Sequence, residues 1–381
     1  MVQPVMTDLN EVLSRHVRAG TLPGAVGIVA RGDDVEAAAV GAMAFGGPPM
    51  ARDSIFRIAS ITKPITAAAV MTLVDEGRLT LDAPVREWLP ELASPVVVRT
   101  PDAPVDDVVP AARPITVFDL LSAQAGWGFA SDFSLPAVRA LSEVQRDGRE
   151  PQSFPPTDEW LAALSRIPLL CQPGESWLYD TCSALQGALV ARVSGEPLPD
   201  FVAARVLEPL GMTDSGYVVP PSSRDRFTTY YRHDLTIADG PDGQWATMPA
   251  FPLGSGGMVG TTDDWLAFGR MLLAGGVAPG GRRVLSPASV RLMTTDHTTP
   301  AQRAIGALFL DGQGWGFGGG VDIARREPWH VPGRYGWVGG TGTTAYLVPS
   351  TDTVAILFTQ VGVEGPATLS WMRDFWRYAA T

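Results

Sequence analysis

The sequence predicts an α/β (α+β) fold in which an antiparallel sheet, flanked by helices and built from both ends of the chain, is combined with a mainly helical inserted domain. Strand-like apolar runs occur near residues 25–40 and 344–360, whereas helical spacing of apolar residues prevails between them. The 381 residues are enough for two such units. We predict a discontinuous sheet domain, residues 1–58 and 300–381, and a mainly helical domain with long loops, residues 59–299.

The N-terminal elements follow from local patterns. Leu9–Val17 has the apolar spacing of a helix, and Ala25–Arg31 and Val35–Val40 read as two strands joined by a tight turn. A short extended run, Ser54–Ile58, leads into a nearly all-apolar helix. Pro64 belongs in the first turn of that helix, since proline has no N–H to donate.

Capping residues predict the starts of the middle helices. Thr116 and Asp119 fit a capping box, and Ser286 followed by proline fits an N-cap. Thr157 and Thr262 are expected to begin two further helices, with Thr157 as the cap of the first.

Ser183–Val193 is apolar throughout and predicts a buried helix, whereas Ser94–Pro114 is rich in proline and predicts a surface loop. Near the end of the chain, Thr344–Val348 and Thr353–Gln360 predict a hairpin. A last helix is expected from about Pro366 to Tyr378.

Charge and cysteine content argue against several classes of protein. The formal net charge of −11 disfavours nucleic acid and anionic membrane surfaces as partners. No apolar stretch approaches 18 residues, and the N-terminus does not resemble a signal peptide. Cys171 and Cys182 form no disulfide framework, so a reduced, cytoplasmic protein is expected. The four histidines are scattered, so no metal site and no cofactor are expected. Nothing in the sequence indicates an oligomeric state.

Lys63 is the single lysine of the chain, against 28 arginines. Arginine stays protonated in proteins, whereas a lysine amine can lose its proton, which predicts a position that needs a titratable amine. Ser60 lies three residues earlier, and on a helix this spacing places hydroxyl and amine on one face. Ser60 is therefore a candidate nucleophile and Lys63 its activator. A solvated surface lysine is the alternative, but its neighbours are almost all apolar.

Tyr179 is a candidate third member, because a phenol beside an ammonium is more easily deprotonated and can act as a general base. Taken by itself, Tyr179 is better explained as a core aromatic whose hydroxyl is hydrogen-bonded. A segment G-x-G-x-x-G at 314–319 precedes no βαβ unit and is read as a glycine-rich edge strand. No G-x-S-x-G occurs, which counts against an α/β-hydrolase.

The order of motifs resembles serine hydrolases that share the class C β-lactamase and penicillin-binding-protein fold, most closely family VIII carboxylesterases. The matching segments, which extend over nearly the whole chain, are Ile58–Pro64 for the nucleophile, Leu79–Leu89, Ile115–Gly126, Pro173–Tyr179 for the tyrosine, Val206–Thr213 and Gly254–Gly276. The resemblance implies a β-lactamase-like fold with the active site between the two domains. It also implies that Ser60, Lys63 and Tyr179 are catalytic, and that the N–H groups of Ser60 and Gly340 form the oxyanion hole.

The third motif departs from β-lactamases. Where those enzymes carry K/H-[TS]-G, this chain has Trp337-Val338-Gly339, similar to the W-x-G of family VIII esterases. Replacing a cation by an indole removes the attraction for a substrate carboxylate, so neutral esters are the expected substrates. Thr181 stands where lactamases have asparagine, and Asn10 is the one asparagine of the chain.

The resulting expectation is a carboxylesterase that hydrolyses small neutral esters through an acyl-enzyme on Ser60. Trp337 and Gly339 are expected to line the substrate site. Further wall residues are aromatic side chains that could equally lie in the core: Trp127, Phe129, Trp177, Tyr230 and Trp315. Three alternatives remain open at this point: an acyltransferase or amide synthase, a weak β-lactamase or D-aminopeptidase, and a non-catalytic ligand-binding homologue.

Overall fold

The computed structural model describes residues 8–364 and 369–381. The helices are α1 Leu9–Arg18, α2 Lys63–Asp75, α3 Val117–Leu121, α4 Pro136–Val144, α5 Thr157–Leu164, α6 Thr181–Ser194, α7 Leu198–Val202, α8 Glu208–Leu210, α9 Thr262–Leu273, α10 Pro287–Thr294, α11 Pro300–Ala304, α12 Ala307–Leu310 and α13 Ser370–Ala379. The strands are β1 Gly24–Arg31, β2 Asp34–Gly41, β3 Phe56–Arg57, β4 Val96–Val98, β5 Val108–Pro110, β6 Tyr230–Tyr231, β7 Ile237–Asp239, β8 Val259–Gly260, β9 Gly314–Trp315, β10 Gly320–Val321, β11 Tyr335–Gly339, β12 Thr343–Val348 and β13 Thr353–Thr359.

A seven-stranded antiparallel sheet combines the two ends of the chain, in the order β2-β1-β13-β12-β11-β10-β9. The junction between the ends is the β1–β13 pair, in which Ile28 lies opposite Ile356. The hairpin predicted near the C-terminus is formed by β12 and β13. The predicted fold class, an antiparallel sheet from both termini flanked by helices, is therefore confirmed.

Alternation along β1 directs successive side chains into two different cores. Val26 and Ile28 pack in the large core that also contains α2 and α9. Ala25 and Val29 face the opposite side of the sheet, where α1 and α13 cover it. The sheet is thus a middle layer, and the central buried helix α2 lies on the side that carries the middle of the chain.

Most predicted elements lie within a residue or two of their observed positions. The capping box of Thr116 and Asp119 and the N-cap of Ser286 are present. Thr157 was predicted as an N-cap, but Pro156 is the N-cap and Thr157 is the first helical residue. Thr262 begins its helix as predicted, with Thr261 as the N-cap.

The loop predicted over Ser94–Pro114 contains the small hairpin of β4 and β5. The last helix begins at Ser370, and the predicted start near Pro366 lies outside the described residues.

Within 8–364 and 369–381, no helix is long and apolar enough to cross a membrane. In the same ranges, no group of three or more His, Cys, Asp or Glu side chains is arranged to hold a metal ion. The division into residues 1–58 with 300–381 and residues 59–299 stays a prediction.

Candidate active site

Ser60 lies in a strained turn at the start of the central helix. A 3₁₀ turn, Ala59–Thr62, runs directly into α2. Ala59 has φ +45°, a conformation that L-residues with a side chain rarely adopt. Such strain persists only where the surroundings impose it, and it is common at functional sites. The turn leaves Ser60 half-buried, whereas Lys63 at the first position of α2 is fully buried.

The Lys63 ammonium group donates three hydrogen bonds. Its Nζ lies 2.9 Å from Ser60 Oγ, 2.7 Å from Asp180 Oδ1 and 2.6 Å from the Ser255 carbonyl oxygen. Three donors therefore meet three acceptors, which is the full capacity of a protonated amine. Burial lowers the pKa of Lys63, but Asp180 and Tyr179 outweigh this effect, so the pKa of Lys63 is raised.

Tyr179 approaches Ser60 from the segment that precedes α6. Its backbone forms an antiparallel bridge with Phe129, with N···O distances of 2.9 and 3.0 Å. Helix α6 packs against α2, which brings the end of this segment to the Ser60 turn. The Tyr179 hydroxyl and Ser60 Oγ share a hydrogen bond of 2.8 Å. The structure thus brings together Ser60, Lys63 and Tyr179, although 119 residues separate the first and last of them.

Trp337 on strand β11 completes the polar cluster. Its indole Nε1–H donates to the Tyr179 hydroxyl oxygen at 3.0 Å. The indole is therefore more than the apolar wall expected from the sequence, because it provides a donor that stabilises negative charge on the phenol oxygen. Trp315 packs edge-on against Trp337, with ring centroids 4.7 Å apart.

Gly339 allows β11 to lie close to the nucleophile turn. A Cβ atom at this position would come within 2.5 Å of the Ile58 carbonyl oxygen, so no larger residue fits without moving the strand. The following residue, Gly340, lines the cavity over Ser60. Within the described chain, neither the Gly340 N–H nor the Ser60 N–H donates a hydrogen bond to another group. Two free donors at the nucleophile suit the stabilisation of an oxyanion.

A cavity of about 430 Å³ opens over Ser60 and has two chemically different walls. One wall is aromatic and includes Phe129, Phe133 and Phe309. The Phe309 ring stacks on Tyr179, with centroids 4.8 Å apart and an interplanar angle of 22°. The cavity is of the size and apolar character that small-molecule sites show.

A second wall carries charges that the sequence did not predict for this site: Arg146, Asp147 and Arg149. Arg149 donates to both carboxylate oxygens of Asp147, from Nε at 2.9 Å and from Nη2 at 2.7 Å. This forked pairing neutralises Arg149, so the cation nearest Gly340 is already occupied.

Three predicted wall residues do not line the cavity, and those predictions were wrong. Trp127 is a core residue whose indole N–H donates to the Ile167 carbonyl at 2.9 Å. Trp177 and Trp315 are also buried, and they pack against each other behind Tyr179 and Trp337. Aromatic side chains bury large areas wherever they are placed, so residue type alone does not separate wall from core.

Of the other predicted wall residues, Phe129, Trp337 and Gly339 line the cavity. Tyr230 lies beside a neighbouring polar cavity instead.

Asp180 and Gln145 belong to the polar cluster but were not predicted from the sequence. Asp180 lies at the N-terminus of α6 and accepts a hydrogen bond of 2.8 Å from Gln145 Nε2 through its second carboxylate oxygen. The sequence suggested no partner for Lys63 because the asparagine of the lactamase motif is missing. The available signal was an acidic residue directly after the candidate base, and nothing in its spacing indicated which way its side chain points.

Comparison with known proteins extends the similarity beyond the site. The beta-lactamase family model matches residues 9–374. Protein Rv1367c of Mycobacterium tuberculosis is 40% identical over 325 residues, which cover 82% of this chain and 79% of that protein. Esterase EstB of Burkholderia gladioli is 32% identical over 396 residues, covering 96% of this chain and 93% of the esterase.

Among solved structures, EstCE1, described as a hydrolase with promiscuous acyltransferase activity, superposes with a TM-score of 0.77 and 25% identity. That match covers 97% of this chain and 96% of the other. The resemblance to esterases noted in the sequence is thus supported over the full length of the chain by sequence and fold alike. The chain belongs to the beta-lactamase family and is a serine hydrolase of that fold.

Proposed function

We propose that the protein is a carboxylesterase, of the family VIII type, that hydrolyses small neutral esters through an acyl-enzyme on Ser60. The observation that carries the proposal is the hydrogen-bonded cluster of Ser60, Lys63 and Tyr179, with Trp337 donating to the phenol oxygen. An S-x-x-K serine with a phenol base is suited to acyl transfer. The full-length similarity to an esterase supports the same activity.

In the acylation step, Tyr179 as a phenolate accepts the Ser60 proton while Ser60 Oγ forms a bond to the ester carbonyl carbon. The carbonyl electron pair moves to oxygen, where the N–H groups of Ser60 and Gly340 stabilise it. Tyr179 then gives its proton to the leaving alcohol oxygen as the C–O bond breaks. The Trp337 N–H and the Lys63 charge favour the phenolate before attack and after deacylation.

In deacylation, water takes the place of the alcohol. Tyr179 accepts a proton from water, the new oxygen attacks the acyl carbon, and Ser60 regains its proton as the acid leaves. Water thus takes the part that Ser60 had in acylation, and Ser60 takes the part of the leaving alcohol, as microscopic reversibility requires.

The cavity walls support a neutral ester with an apolar alcohol part. Because Tyr179 protonates the leaving oxygen, the alcohol must lie beside it, where Phe309 stacks on the phenol ring and Phe133 packs edge-on against Phe309 at 5.9 Å. On the other wall, Arg149 is paired with Asp147. A substrate carboxylate would have to compete with Asp147 for Arg149, which disfavours anionic esters at that position.

The direct test is turnover of p-nitrophenyl esters with acyl groups from acetate upward, by wild type and by Ser60→Ala. We expect hydrolysis by the wild type and none above background by the variant. Full activity of Ser60→Ala, or no turnover of any ester by the wild type, would contradict the proposal.

Added alcohols or amines separate hydrolysis from acyl transfer, because an acceptor that speeds release of p-nitrophenol and appears in the product identifies a transferase. A chromogenic cephalosporin tests for β-lactamase activity, which we expect to be far weaker than ester hydrolysis.

We also propose a reducing, cytoplasmic location. It is supported by Cys171 and Cys182, which are buried and unbridged.

A further inference from the structure

Asp180 occupies a backbone conformation that turns its carboxylate away from the helix it precedes. It has φ +80° and lies at the N-cap position of α6, yet its side chain accepts no capping hydrogen bond. An aspartate at an N-cap normally accepts from the first-turn N–H groups, which contributes stability to the helix. Asp180 makes no such capping hydrogen bond and adopts a rarely populated φ, which indicates that its carboxylate is needed elsewhere.

The carboxylate instead bridges Lys63 and the cavity wall. One oxygen accepts from Lys63 Nζ at 2.7 Å, and the other accepts from Gln145 Nε2 at 2.8 Å. Gln145 and Lys63 are buried, whereas the Asp180 side chain is 18% exposed, so the bridge lies at the edge of the cavity with its Lys63 end shielded from solvent. A fully buried ammonium is unfavourable unless it is paired and hydrogen-bonded. Asp180 supplies a negative charge to pair with Lys63. The asparagine of the lactamase motif, which this chain does not have, is neutral and would not do so.

The surroundings of the pair contain few other ionisable groups. The titratable groups that act on Lys63 are Asp180 and Tyr179. Burial raises the pKa of Cys182, in the first turn of α6, to about 12, and the charges of Asp119 and Asp180 add to this effect. On the cavity side, Arg146, Asp147 and Arg149 line the same space but form no hydrogen bond with either member of the pair.

We infer that Asp180 is a positioning residue that keeps Lys63 as an ammonium throughout the reaction, so that Tyr179 alone receives the Ser60 proton. The inference rests on the proposed function and deepens it by separating two residues that could each serve as the base. It also gives a different reason why position 63 carries a lysine and not an arginine: the sequence suggested an amine that can lose its proton, whereas the structure favours one that keeps it. A compact point charge with three donors fits three acceptors at this buried position, which a planar guanidinium does not.

The proton balance follows directly. In each half-reaction one proton moves from an attacking oxygen to Tyr179 and then to a leaving oxygen. Lys63 begins and ends with three protons, held by Ser60 Oγ, Asp180 and the Ser255 carbonyl. Without the Asp180 charge, burial would favour the neutral amine, and Lys63 would compete with Tyr179 for the serine proton.

The single lysine makes a direct test possible. Protein labelled with [¹³Cε]lysine, made without a lysine-containing tag, gives one lysine signal whose chemical shift reports the protonation state of Lys63. In the wild type we expect the titration midpoint of Lys63 to lie above the ordinary lysine pKa of 10.5. A midpoint below that value would overturn the inference, even if no variant could be prepared.

Two variants sharpen the test. Asp180→Asn removes the charge and preserves the shape, and we expect its Lys63 signal to titrate at lower pH than in the wild type. Asp147→Asn is the matched control, because it removes a carboxylate from the same cavity without touching Lys63, and the Lys63 titration should not move. Equal shifts in both variants, or none in Asp180→Asn, would overturn the role of Asp180.

The pH dependence of kcat/KM provides a readout that a purely structural role would not move. In Asp180→Asn the decline of kcat/KM at alkaline pH should begin at lower pH than in the wild type. The value of kcat at pH 8 should fall about 10- to 150-fold, the effect of a lost charge-assisted hydrogen bond. An unchanged alkaline decline would contradict the inference. The failure of the proposed function is recognised separately, because the NMR titration needs no substrate, whereas that function fails if wild type hydrolyses no ester.

Discussion

Replacing Trp337 by phenylalanine isolates the hydrogen bond that links the third motif to the proposed base. The substitution keeps an aromatic ring on β11 and removes the indole N–H that lies 3.0 Å from the Tyr179 oxygen. Hydrogen bonds to charged acceptors contribute about 1.5–3 kcal/mol. If that stabilisation is realised when Tyr179 carries negative charge, kcat should fall about 10- to 150-fold.

The assay is p-nitrophenyl butyrate hydrolysis, with kcat and KM determined separately at several pH values. We expect KM to change only a few-fold, because the lost interaction acts on the base and not on the bound ester. A melting curve shows whether the smaller ring has destabilised the fold.

Trp315→Phe is the matched control for this experiment. Trp315 is equally buried and packs edge-on against Trp337, but its indole N–H has no hydrogen-bond partner among the described residues. The control removes the same ring atoms without touching Tyr179. A Trp337→Phe enzyme with kcat within about threefold of wild type, or equal to that of Trp315→Phe, would refute the reasoning.

Further predictions follow from the same geometry. Lys63→Arg should be inactive in the ester assay, because a guanidinium is too large for a fully buried site with three close acceptors, and near-normal activity would contradict this. Gly339→Ala should lower kcat and the melting temperature together, because the added Cβ meets the Ile58 carbonyl oxygen at 2.5 Å; unchanged kinetics would contradict the proposed closeness of strand and turn. Phe309→Ala should raise KM for aryl esters more than for ethyl esters of the same acid, and equal effects would remove Phe309 from the alcohol site. The pKa of Lys63 is raised in the folded protein, so its charge contributes stability that is fully present below pH 10.5, the unperturbed value. This stability is lost as the pH rises through the folded-state pKa. The difference in melting temperature between wild type and Asp180→Asn should therefore shrink in that alkaline range.

The sheet and the helices were predictable because their signals are local. Alternation in Ala25–Arg31 and helical spacing in Leu9–Val17 depend on neighbours a few residues away, and both elements were found nearly where expected. The one-residue error at Thr157 arose because a threonine can serve as the cap or as the first helical residue, and the sequence alone does not distinguish the two.

The site was predictable only in part, because sequence signals are local and the site combines distant parts of the chain. Ser60 and Lys63 are three residues apart, so helical geometry alone places them together. Tyr179 was assigned with the help of the resemblance, since no local rule links it to Ser60. Asp180 was missed because its contact with Lys63 depends on a positive φ, which sequence patterns do not predict for aspartate.

Trapping of the acyl site tests the central claim most directly. A fluorophosphonate probe, followed by intact-mass measurement and peptide mapping, reports which oxygen attacks and how fast. We predict one adduct per chain, on the peptide that contains Ser60, with none in Ser60→Ala and markedly slower labelling in Tyr179→Phe. Labelling at another residue, or labelling of Tyr179→Phe at the wild-type rate, would contradict the claim that a phenol held by Lys63 and Trp337 activates Ser60.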